Sequence, residues 1–538
     1  MDRLRMWLPF FVSTAFYAIL LCVALVRINA ITHGSQIYLL DDTYIHLAIA
    51  KNILLHRVYG ISATEPAMAS SSILWPALLV LTAKLFGLKL ILPLMLNIIS
   101  GLAMLAMAQH FLRSSRVTSR GWQTLTLLLL VLAFPMVAMT LDGMEHVLYG
   151  FAFVYFLWIA GLTLTRAETL SGWSIVALLF SAALLTSIRY EGVFAVFVLC
   201  LLLVWRRPFL AVATALSGFL PLLLFGIFSR RHGGMWVPNS LVMKTLDGGS
   251  RLQQLVRIPH ELSTPYICEV GLTLLLLLLV VLAVRSKPIG LTATERNMLF
   301  IYLGVAALHI QFARVRTATP RYESYLIGAG VLLASLCLFS ILKFQQTHDR
   351  PFPTSIKVLA ILAVLPIVLY RGVWWEVASL NGAASIYRQQ YQAAQFFAKY
   401  YSGQAIVAND VGAVSYFANV HCFDIWGLAN NEVARERSKG TFTTAEIRRV
   451  AVERHVNVGF VYDIAFFGAQ KLPPEWIKVA TWTIPTHHGN TTFSSTISFY
   501  ATSPTAASIL LRNLEEFQKS LPPSVVARTA NGQPVTSM

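Results

Sequence analysis

The sequence predicts a polytopic α-helical membrane protein with a C-terminal α/β domain, and three observations predict this fold class. The chain has 538 residues, of which 56% are hydrophobic and only 12% are charged. Soluble domains carry roughly 25% charged residues, so this composition indicates an integral membrane protein. Long apolar runs recur up to about residue 371, and charged and polar residues become frequent beyond that point. The third observation is the placement of Lys and Arg between the apolar runs.

Apolar segments of about 17–25 residues are long enough to cross a bilayer, and about eleven segments approach or reach this length. The segment 72–86 is shorter, contains Pro76 and ends at Gly87, so it predicts a juxtamembrane or re-entrant helix. The predicted spans are 7–26, 90–111, 122–140, 147–164, 171–188, 192–205, 208–228, 267–284, 297–312, 324–342 and 354–371.

The basic residues predict the orientation of the chain. The formal charge is +17, and the positive-inside rule places the basic breaks between spans on the cytoplasmic side. The N-terminus is therefore expected in the cytoplasm and the C-terminal domain outside the cytoplasmic (inner) membrane. This distribution favours anionic lipid as a partner and argues against nucleic acid. An anionic ligand would explain the basic residues that break the rule in two outer loops, namely Arg230, Arg231, Lys244, Arg314, Arg316 and Arg321.

The predicted domains follow from these patterns. Residues 1–371 form a transmembrane module with a first outer loop over 28–89, residues 372–520 form the soluble domain, and residues 521–538 form a flexible tail. Within the soluble domain the sequence predicts strands at 405–408 and 458–462 and helices at 445–454 and 508–519.

Asp41 and Asp42 are the first polar feature, because two adjacent acids follow the first apolar span. Asp42 and His46 are four residues apart, so a helix would place them on one face. One interpretation is a solvated helix start, since acids favour the N-terminal end of a helix. The other is a carboxylate that takes a proton from an attacking hydroxyl group, or that holds a metal ion.

Later outer loops carry further charged motifs, each with a structural alternative. Glu145 lies in a turn where it could cap a helix, and Arg189 and Glu191 could form a local ion pair. Asn239 could cap a helix whose Lys244 either extends to the membrane surface or binds a phosphate. Arg321 could pair with Glu323 or bind an anion. In the soluble domain, Asn409-Asp410-Val411-Gly412 follows a predicted strand and precedes the stretch from Phe423 to Leu428, which contains Asp424. An Asp after a strand with a nearby Gly is typical of a turn, and acceptor contact is the alternative.

Together these motifs resemble the GT-C superfamily of membrane glycosyltransferases, which use polyprenyl-phosphate sugars. The stretch Asp41-Asp42-x-Tyr44 looks like the acidic motif in the first loop of that family. The bacterial branch that contains the mycobacterial arabinofuranosyltransferases has similar motifs in the same order over most of residues 1–430. The matching residues are Gly60, Glu65-Pro66, the run from Ser70 to Trp75, Gly143-Met144-Glu145, Arg189 to Gly192, Pro238-Asn239-Ser240 with Lys244, Arg321-Tyr322, Asp410-x-Gly412 and Asp424-x-x-Gly427-Leu428.

The resemblance implies inverting transfer of a sugar, arabinofuranose in that branch, from a polyprenyl-phosphate donor to a glycan, lipid or protein acceptor of the cell envelope. Asp41 or Asp42 would be the base, with Asp41 preferred because His46 can occupy Asp42. Tyr44, His46, Glu145 and Glu191 would orient the sugars. The lipid phosphate would be bound by Lys244, Arg321, Arg316, Arg189 and Asn239. Family members differ over metal dependence, so a divalent metal ion remains an open alternative and no ligand set is assigned.

Two other functions are compatible with a polytopic chain. A transporter would also place charges near the membrane, but the sequence has no inverted repeats and groups its charges at one membrane face. An oligosaccharide transferase or ligase on a similar scaffold is the nearer enzyme alternative.

Overall fold

The structure, a computed structural model, describes residues 5–115, 117–166, 170–246, 267–284, 291–313, 321–347, 354–463 and 471–535. The helices of the first 367 residues are α1 Leu8–Ile31, α2 Asp42–His56, α3 Leu74–Phe86, α4 Leu92–Ser114, α5 Arg120–Ala133, α6 Met136–Leu141, α7 His146–Thr165, α8 Gly172–Ile188, α9 Gly192–Leu203, α10 Pro208–Arg231, α11 Asn239–Leu246, α12 Ile267–Val284, α13 Ala293–Phe312, α14 Ser324–Thr347 and α15 Thr354–Ile367.

The remaining elements alternate helices with short strands. They are a π-helix Val368–Trp375, α16 Glu376–Ile386, a second π-helix Tyr387–Tyr391, α17 Gln392–Tyr400, β1 Ala405–Ala408, α18 Gly412–Phe417, β2 His421–Asp424, α19 Asn431–Lys439, α20 Thr444–Glu453, β3 Val458–Val461, β4 Ile477–Thr483, β5 Thr496–Ala501, α21 Pro504–Phe517, a 3₁₀ turn Gln518–Ser520 and β6 Val526–Thr529.

The described residues contain six helical segments that are long and apolar enough to cross a membrane, and these make the protein an integral membrane protein. The predicted count of eleven spans is not confirmed, because other apolar helices are shorter, including Leu74–Phe86 and Gly192–Leu203. The six segments are Leu8–Ile31, Leu92–Ser114, His146–Thr165, Pro208–Arg231, Ser324–Thr347 and Thr354–Tyr400.

The chain forms two compact units, each assembled from separate stretches of sequence. The first unit contains Met1–Val26, Leu94–Leu223 and Gly249–Val377, and the second contains Arg27–Pro93, Leu224–Gly248 and Ala378–Met538. The segment 28–89, which was expected to be the first outer loop, therefore belongs to the same unit as the C-terminal sheet.

The second unit contains a six-stranded mixed sheet with the order β2-β1-β3-β5-β4-β6. β1 pairs in parallel with β2 and β3, whereas the remaining pairs are antiparallel. The predicted strands at 405–408 and 458–462 are confirmed as β1 and β3, and the two predicted helices are confirmed as α20 and α21. β6 lies within the segment that was expected to be a flexible tail, and it pairs with β4.

Two apolar layers stabilise the sheet of the second unit. Val407, Phe423, Ile447, Val450 and Trp476 belong to one buried cluster. A separate group of aromatic rings includes Phe396, Trp482 and Phe499, with the Trp482 and Phe499 ring centroids 4.6 Å apart. Large aromatic side chains of this kind each bury about 150–250 Å² of surface and supply much of the stability of a small core. Both clusters therefore stabilise the sheet that carries the loops at its edge.

Candidate functional site

Asp41 lies in the second unit and binds the beginning of helix α18. Its side chain is buried, and its Oδ2 and Oδ1 atoms accept hydrogen bonds from the main-chain N–H groups of Gly412 at 2.5 Å and Ala413 at 2.7 Å. The first N–H groups of a helix have no partner within the helix and carry partial positive charge. A carboxylate is therefore well matched to this position.

Gly412 is required by this contact. A Cβ atom at this position would overlap the main-chain oxygen of Asp41 and approach its Oδ2 atom within 2.6 Å. The close approach of Asp41 to the main chain thus explains why glycine follows Asp410 at this spacing.

Lys51 binds the other end of the same helix. Its Nζ atom donates to the main-chain oxygens of Ser415 at 3.1 Å and Tyr416 at 2.7 Å. Carbonyl groups at a helix C-terminus carry partial negative charge and favour a cation. Asp41 and helix α2 together therefore hold both ends of α18.

Parallel pairing brings polar residues to one edge of the sheet. Asp410 follows β1, Tyr462 follows β3, and the two strands are parallel neighbours, so their carboxyl ends lie side by side. The Tyr462 hydroxyl donates to Gln389 Oε1 at 2.8 Å and lies 3.3 Å from Asp410 Oδ2, and the Tyr462 main-chain N–H donates to Asn409 Oδ1 at 3.0 Å. The loops after β1 and β3 are thus joined by side-chain hydrogen bonds.

The carboxyl groups of Asp41 and Asp410 are close enough to influence each other's pKa. Burial raises the pKa of Asp41, although the N–H donors of Ala413 and Gly412 oppose this. Burial and the adjacent Asp41 charge raise the pKa of Asp410 well above its usual range. Two close carboxyl groups do not both ionise readily, and the neighbouring charge therefore acts in the same direction as burial.

Asp42 is the first residue of α2 and is only partly buried. Its charge acts on both Asp41 and Asp410 and raises the pKa of each. The imidazole Nδ1 of His46 lies 3.2 Å from Ser70 Oγ, so this ring has a partner on the first outer loop. Tyr44 is fully buried and its hydroxyl accepts a hydrogen bond from the main-chain N–H of Tyr38 at 3.0 Å.

The first unit brings together three residues from two of the predicted motifs. Arg189 Nη1 lies 2.7 Å from Glu145 Oε1, while its Nη2 and Nε atoms donate to the two oxygens of Glu191 at 2.8 and 3.2 Å. Nη1 also lies 3.0 Å from His146 Nε2. Burial alone would raise the pKa of Glu191, but the Arg189 charge and its hydrogen bonds lower it to about 2. Arg189 and Glu191 therefore form the ion pair that the sequence offered as the structural alternative, and Glu145 is a third member of the group.

Tyr322 lies against two guanidinium groups in the first unit. The guanidinium carbons of Arg189 and Arg321 are each 5.1 Å from the centroid of the Tyr322 ring, a distance typical of cation–π contacts. Arg321 is partly exposed, and its Nη1 atom lies 3.8 Å from Met144 Sδ. Arg316 lies outside the described residues.

Arg371 was not singled out from the sequence. It binds Glu323, one of the two partners considered for Arg321. Arg371 is fully buried in the first unit, and its Nη1 atom lies 2.5 Å from Glu323 Oε1. It also donates to Ser324 Oγ at 2.7 Å and to the Ala133 main-chain oxygen at 2.8 Å. The sequence did carry a signal for this contact: Arg371 is a single arginine at the end of an apolar span, and such a charge needs a buried partner.

Asn239 begins helix α11 and is tied to other parts of the second unit. Its main-chain N–H donates to the Met68 oxygen at 2.9 Å, and its Nδ2 atom donates to Asn431 Oδ1 at 2.9 Å. Asn431 also accepts from the Met68 N–H at 3.1 Å and donates to the Pro66 oxygen at 3.0 Å. Asn431, which sequence reasoning missed, thus joins α11 to the first outer loop. The Lys244 side chain is not among those described.

Asp424 is the last residue of β2, a strand that was not predicted from the sequence. Its carboxylate accepts hydrogen bonds from the main-chain N–H groups of Trp426 at 2.8 Å, Gly427 at 3.1 Å and Ala429 at 2.6 Å. Gly427 has a φ of +88°, which favours glycine. Asp424 therefore organises the loop after β2. Over the described ranges, no group of three or more His, Cys, Asp and Glu side chains could hold a metal ion.

Comparison with protein families identifies one match, to a family described as a domain of unknown function (DUF8728) over residues 383–500. No curated protein sequence matches the chain. The matched region includes β1 to β4 and all but the last residue of β5, and the family description assigns no activity.

Solved structures are similar over most of the chain. The crystal structure of ArnT from Cupriavidus metallidurans bound to undecaprenyl phosphate is 13% identical, with a TM-score of 0.50, and the match covers 92% of this chain and 99% of that chain. The apo form of the same protein is 12% identical, with a TM-score of 0.51 and the same coverage. At these identities the similarity shows the fold, and the protein has a GT-C-like fold.

A weaker similarity concerns the branch expected from the sequence motifs. The cryo-EM structure of the arabinofuranosyltransferase AftD from Mycobacteria is 14% identical, with a TM-score of 0.40, and the match covers 95% of this chain and 43% of that chain. A similarity with so low a TM-score does not support assigning the chain to this branch, and the arabinofuranosyltransferase branch is not confirmed.

Proposed function

We propose that the protein is an inverting glycosyltransferase that moves a sugar from a polyprenyl-phosphate donor to a cell-envelope glycan, lipid or protein acceptor. The observation that carries the proposal is the position of Asp42, a partly exposed acid that begins α2 directly after the buried Asp41. The GT-C-like fold and the undecaprenyl phosphate bound to ArnT support a lipid-phosphate donor. The sugar is proposed to be arabinofuranose or another pentose or hexose.

Asp42 is proposed as the base, in place of the preference for Asp41. A general base must reach the hydroxyl group that it deprotonates. Asp41 is buried and both of its oxygens accept main-chain hydrogen bonds, whereas Asp42 is partly exposed. We therefore assign Asp41 the role of holding the start of α2. Tyr44 is fully buried and is assigned a packing role.

The proposed reaction is a single displacement. The Asp42 carboxylate takes the proton of an acceptor hydroxyl as its oxygen attacks the anomeric carbon of the donor sugar. The bond between that carbon and the phosphate oxygen breaks, its electron pair stays on the oxygen, and the polyprenyl phosphate leaves. The configuration at the anomeric carbon is inverted because attack and departure occur on opposite faces.

Arg321 is the proposed phosphate-binding cation for which the structure supplies contacts, and Arg316 and Lys244 are further candidates. A guanidinium group suits phosphate oxygens and stabilises the charge that develops as the phosphate leaves. Arg189 is assigned a different role, because Glu145 and Glu191 already accept hydrogen bonds from its Nη1, Nη2 and Nε atoms. It holds the two glutamates in fixed positions, and the glutamates are proposed to orient a sugar. His46, in the second unit, is a separate candidate for such a role. Asn239, bound to Asn431, is assigned to positioning α11.

Transfer of radiolabel in membranes that contain the full-length chain tests this function. A panel of labelled polyprenyl-phosphate sugars, arabinofuranose included, is supplied to wild type, Asp42→Asn and Asp463→Asn. The last variant is a matched control, since Asp463 is an exposed acid paired with Lys478. Loss of a general base lowers rates by about 100-fold or more, so Asp42→Asn should transfer almost nothing while the control stays active. Undiminished transfer by Asp42→Asn would exclude the assigned role.

Two further measurements examine the alternatives. Solute uptake without transfer of any tested sugar would favour the transporter.

We also propose a cytoplasmic N-terminus and an extracytoplasmic C-terminal domain in the cytoplasmic membrane. A reporter enzyme that works only outside the cytoplasm should be active when fused to the C-terminus, and an inactive but intact fusion would reverse the assigned orientation.

A further inference from the structure

The last turn of α10 carries positive charge that the proposed function does not use. Arg230 and Arg231 are both exposed, and α10 ends at Arg231. Pro208–Arg231 is one of the six segments long and apolar enough to cross a membrane, so its end is expected at the membrane surface. With the proposed orientation this surface is the outer one, where the positive-inside rule does not account for arginines. The two arginines therefore need another explanation.

A third arginine reaches the same turn from a distant part of the sequence. Arg230 Nη1 donates to the main-chain oxygen of Gly234 at 3.2 Å. Arg435, which belongs to α19, donates through Nη2 to the main-chain oxygen of Gly233. Because these two glycines are consecutive, both guanidinium groups lie beside one turn. Attraction to the partial negative charge of a helix C-terminus could explain Arg230 and Arg231, but it does not explain Arg435.

Other contacts hold this turn in place. Ser229 Oγ donates to the main-chain oxygen of Met235 at 2.5 Å, and Asn431 Nδ2 donates to the main-chain oxygen of His232 at 3.3 Å. A Cβ atom at Gly234 would overlap the Ser229 hydroxyl group, so the turn is closely packed. The fold of the second unit therefore collects three guanidinium groups at the end of a membrane span.

These three arginines lack an acidic partner. Within the described ranges, no carboxylate forms an ion pair with Arg230, Arg231 or Arg435. Elsewhere in the same unit an exposed arginine can be paired, as Arg448 Nε is with Glu475 Oε1 at 2.5 Å. A cluster of like charges without counter-charges attracts an anion from outside the protein.

Trp236 places an apolar ring next to this positive charge. Its side chain is 60% exposed, and it lies two residues after Gly234. The ring packs on α10, because a Cβ atom at Gly226 would lie 2.9 Å from Trp236 Cε3. Tryptophan is enriched where the hydrocarbon core of a membrane meets the lipid headgroups. Its position near the last turn of a span matches that depth.

We propose that Arg230, Arg231 and Arg435 bind the phosphate headgroup of an anionic phospholipid, with Trp236 against the glycerol region of the same lipid. Guanidinium groups suit phosphate oxygens, and basic clusters beside membrane spans attract anionic lipids. A bound lipid would join the last turn of α10 to α19 and hold both at the membrane surface. This lipid site goes beyond the proposed transfer reaction, in which none of the four residues has a role.

Native mass spectrometry of the purified full-length protein in detergent tests the site. Anionic phosphatidylglycerol and zwitterionic phosphatidylcholine are titrated separately into wild type and two triple variants. The site variant carries Arg230→Gln, Arg231→Gln and Arg435→Gln. The control variant removes three exposed cations of the C-terminal domain through Arg512→Gln, Lys519→Gln and Arg528→Gln. Each arginine near an anionic lipid contributes about fivefold in affinity, so the site variant should bind phosphatidylglycerol roughly 100-fold more weakly, and the control should match wild type.

Single variants separate charge from packing. Among the described residues, the Arg231 side chain has no hydrogen-bonding partner, so Arg231→Gln removes charge without removing a contact within the protein. It should weaken phosphatidylglycerol binding about fivefold, and Arg231→Lys should restore most of the loss. Trp236→Ala should weaken the binding of both phospholipids, because the contribution of the ring does not depend on headgroup charge.

Three results would overturn the proposal. The first is equal affinity of wild type and the site variant for phosphatidylglycerol, and the second is equal affinity of wild type for the two phospholipids. The third is tighter binding of undecaprenyl phosphate than of phosphatidylglycerol, lost in the site variant, which would assign the arginines to a donor-type lipid. Loss of sugar transfer by wild type with intact phosphatidylglycerol binding would remove the proposed function and leave the lipid site standing.

Discussion

Asp41 and Lys51 bind opposite ends of the same short helix, Gly412–Phe417, one through a carboxylate at its N-terminus and the other through an ammonium at its C-terminus. Each charge lies at the helix end whose partial charge is opposite. Lys51 is part of α2, and Asp41 directly precedes α2. The segment from Asp41 to Lys51 therefore contacts both ends of α18. The acid proposed as the base, Asp42, is placed by this contact.

Replacement of Lys51 tests the contact at the C-terminal end. Lys51→Met should lower the free energy of unfolding by about 1–2 kcal/mol, because two carbonyl groups lose a charged donor. It should also speed hydrogen exchange in residues 412–417. Lys84→Met is the matched control, since Lys84 is exposed on α3. Equal exchange rates in the two variants would mean that Lys51 does not hold this helix.

Gly412 tests the close approach at the other end. Gly412→Ala should cost about 1–3 kcal/mol, the usual effect of overpacking, because its Cβ would overlap the Asp41 main chain. Gly172→Ala is the control, since a Cβ there meets no atom within 4 Å. The apparent Tm of the purified proteins measures the difference. A Gly412→Ala protein as stable as the control would contradict the described packing.

Glu191 should make stability depend on pH in the acidic range. Its folded pKa of about 2 lies below the unfolded value, so the unfolded chain binds the proton first as pH falls. The stabilisation, at most roughly 3 kcal/mol, is present above the unfolded pKa near 4.3 and is lost as pH falls toward 2. Wild-type Tm should decline over this window, and Glu191→Gln should start lower and decline less. Parallel pH profiles would argue against the Arg189 pairing.

Arg371 and Glu323 provide a double-mutant test inside the first unit. Arg371→Met leaves the Glu323 charge buried without its guanidinium partner and should cost about 3–5 kcal/mol. Adding Glu323→Gln removes that charge and should recover part of the loss. Unfolding in detergent mixtures measures all four corners of the cycle. Additive losses would show that the two side chains are not energetically coupled.

Local patterns explain which features could be predicted from the sequence. Strand β1 and helix α20 follow from apolar periodicity over a few residues, and Arg189 pairs with Glu191 only two positions away. The membrane character follows from composition, whereas the number of spans does not, because helices such as Gly192–Leu203 are shorter than a full crossing. The π-helix at Val368–Trp375 left no comparable sequence signal.

The sequence by itself determined that this is an apolar, helix-rich membrane protein with acids after its first span and a sheet near its C-terminus. Tertiary structure decided the partners of the polar residues: Asp41 with the start of α18, Glu323 with Arg371, and Asn239 with Asn431. The reason is physical. Hydropathy and periodicity act between residues close in the chain, whereas the proton affinity and exposure of a carboxylate depend on groups that folding brings together from hundreds of residues away.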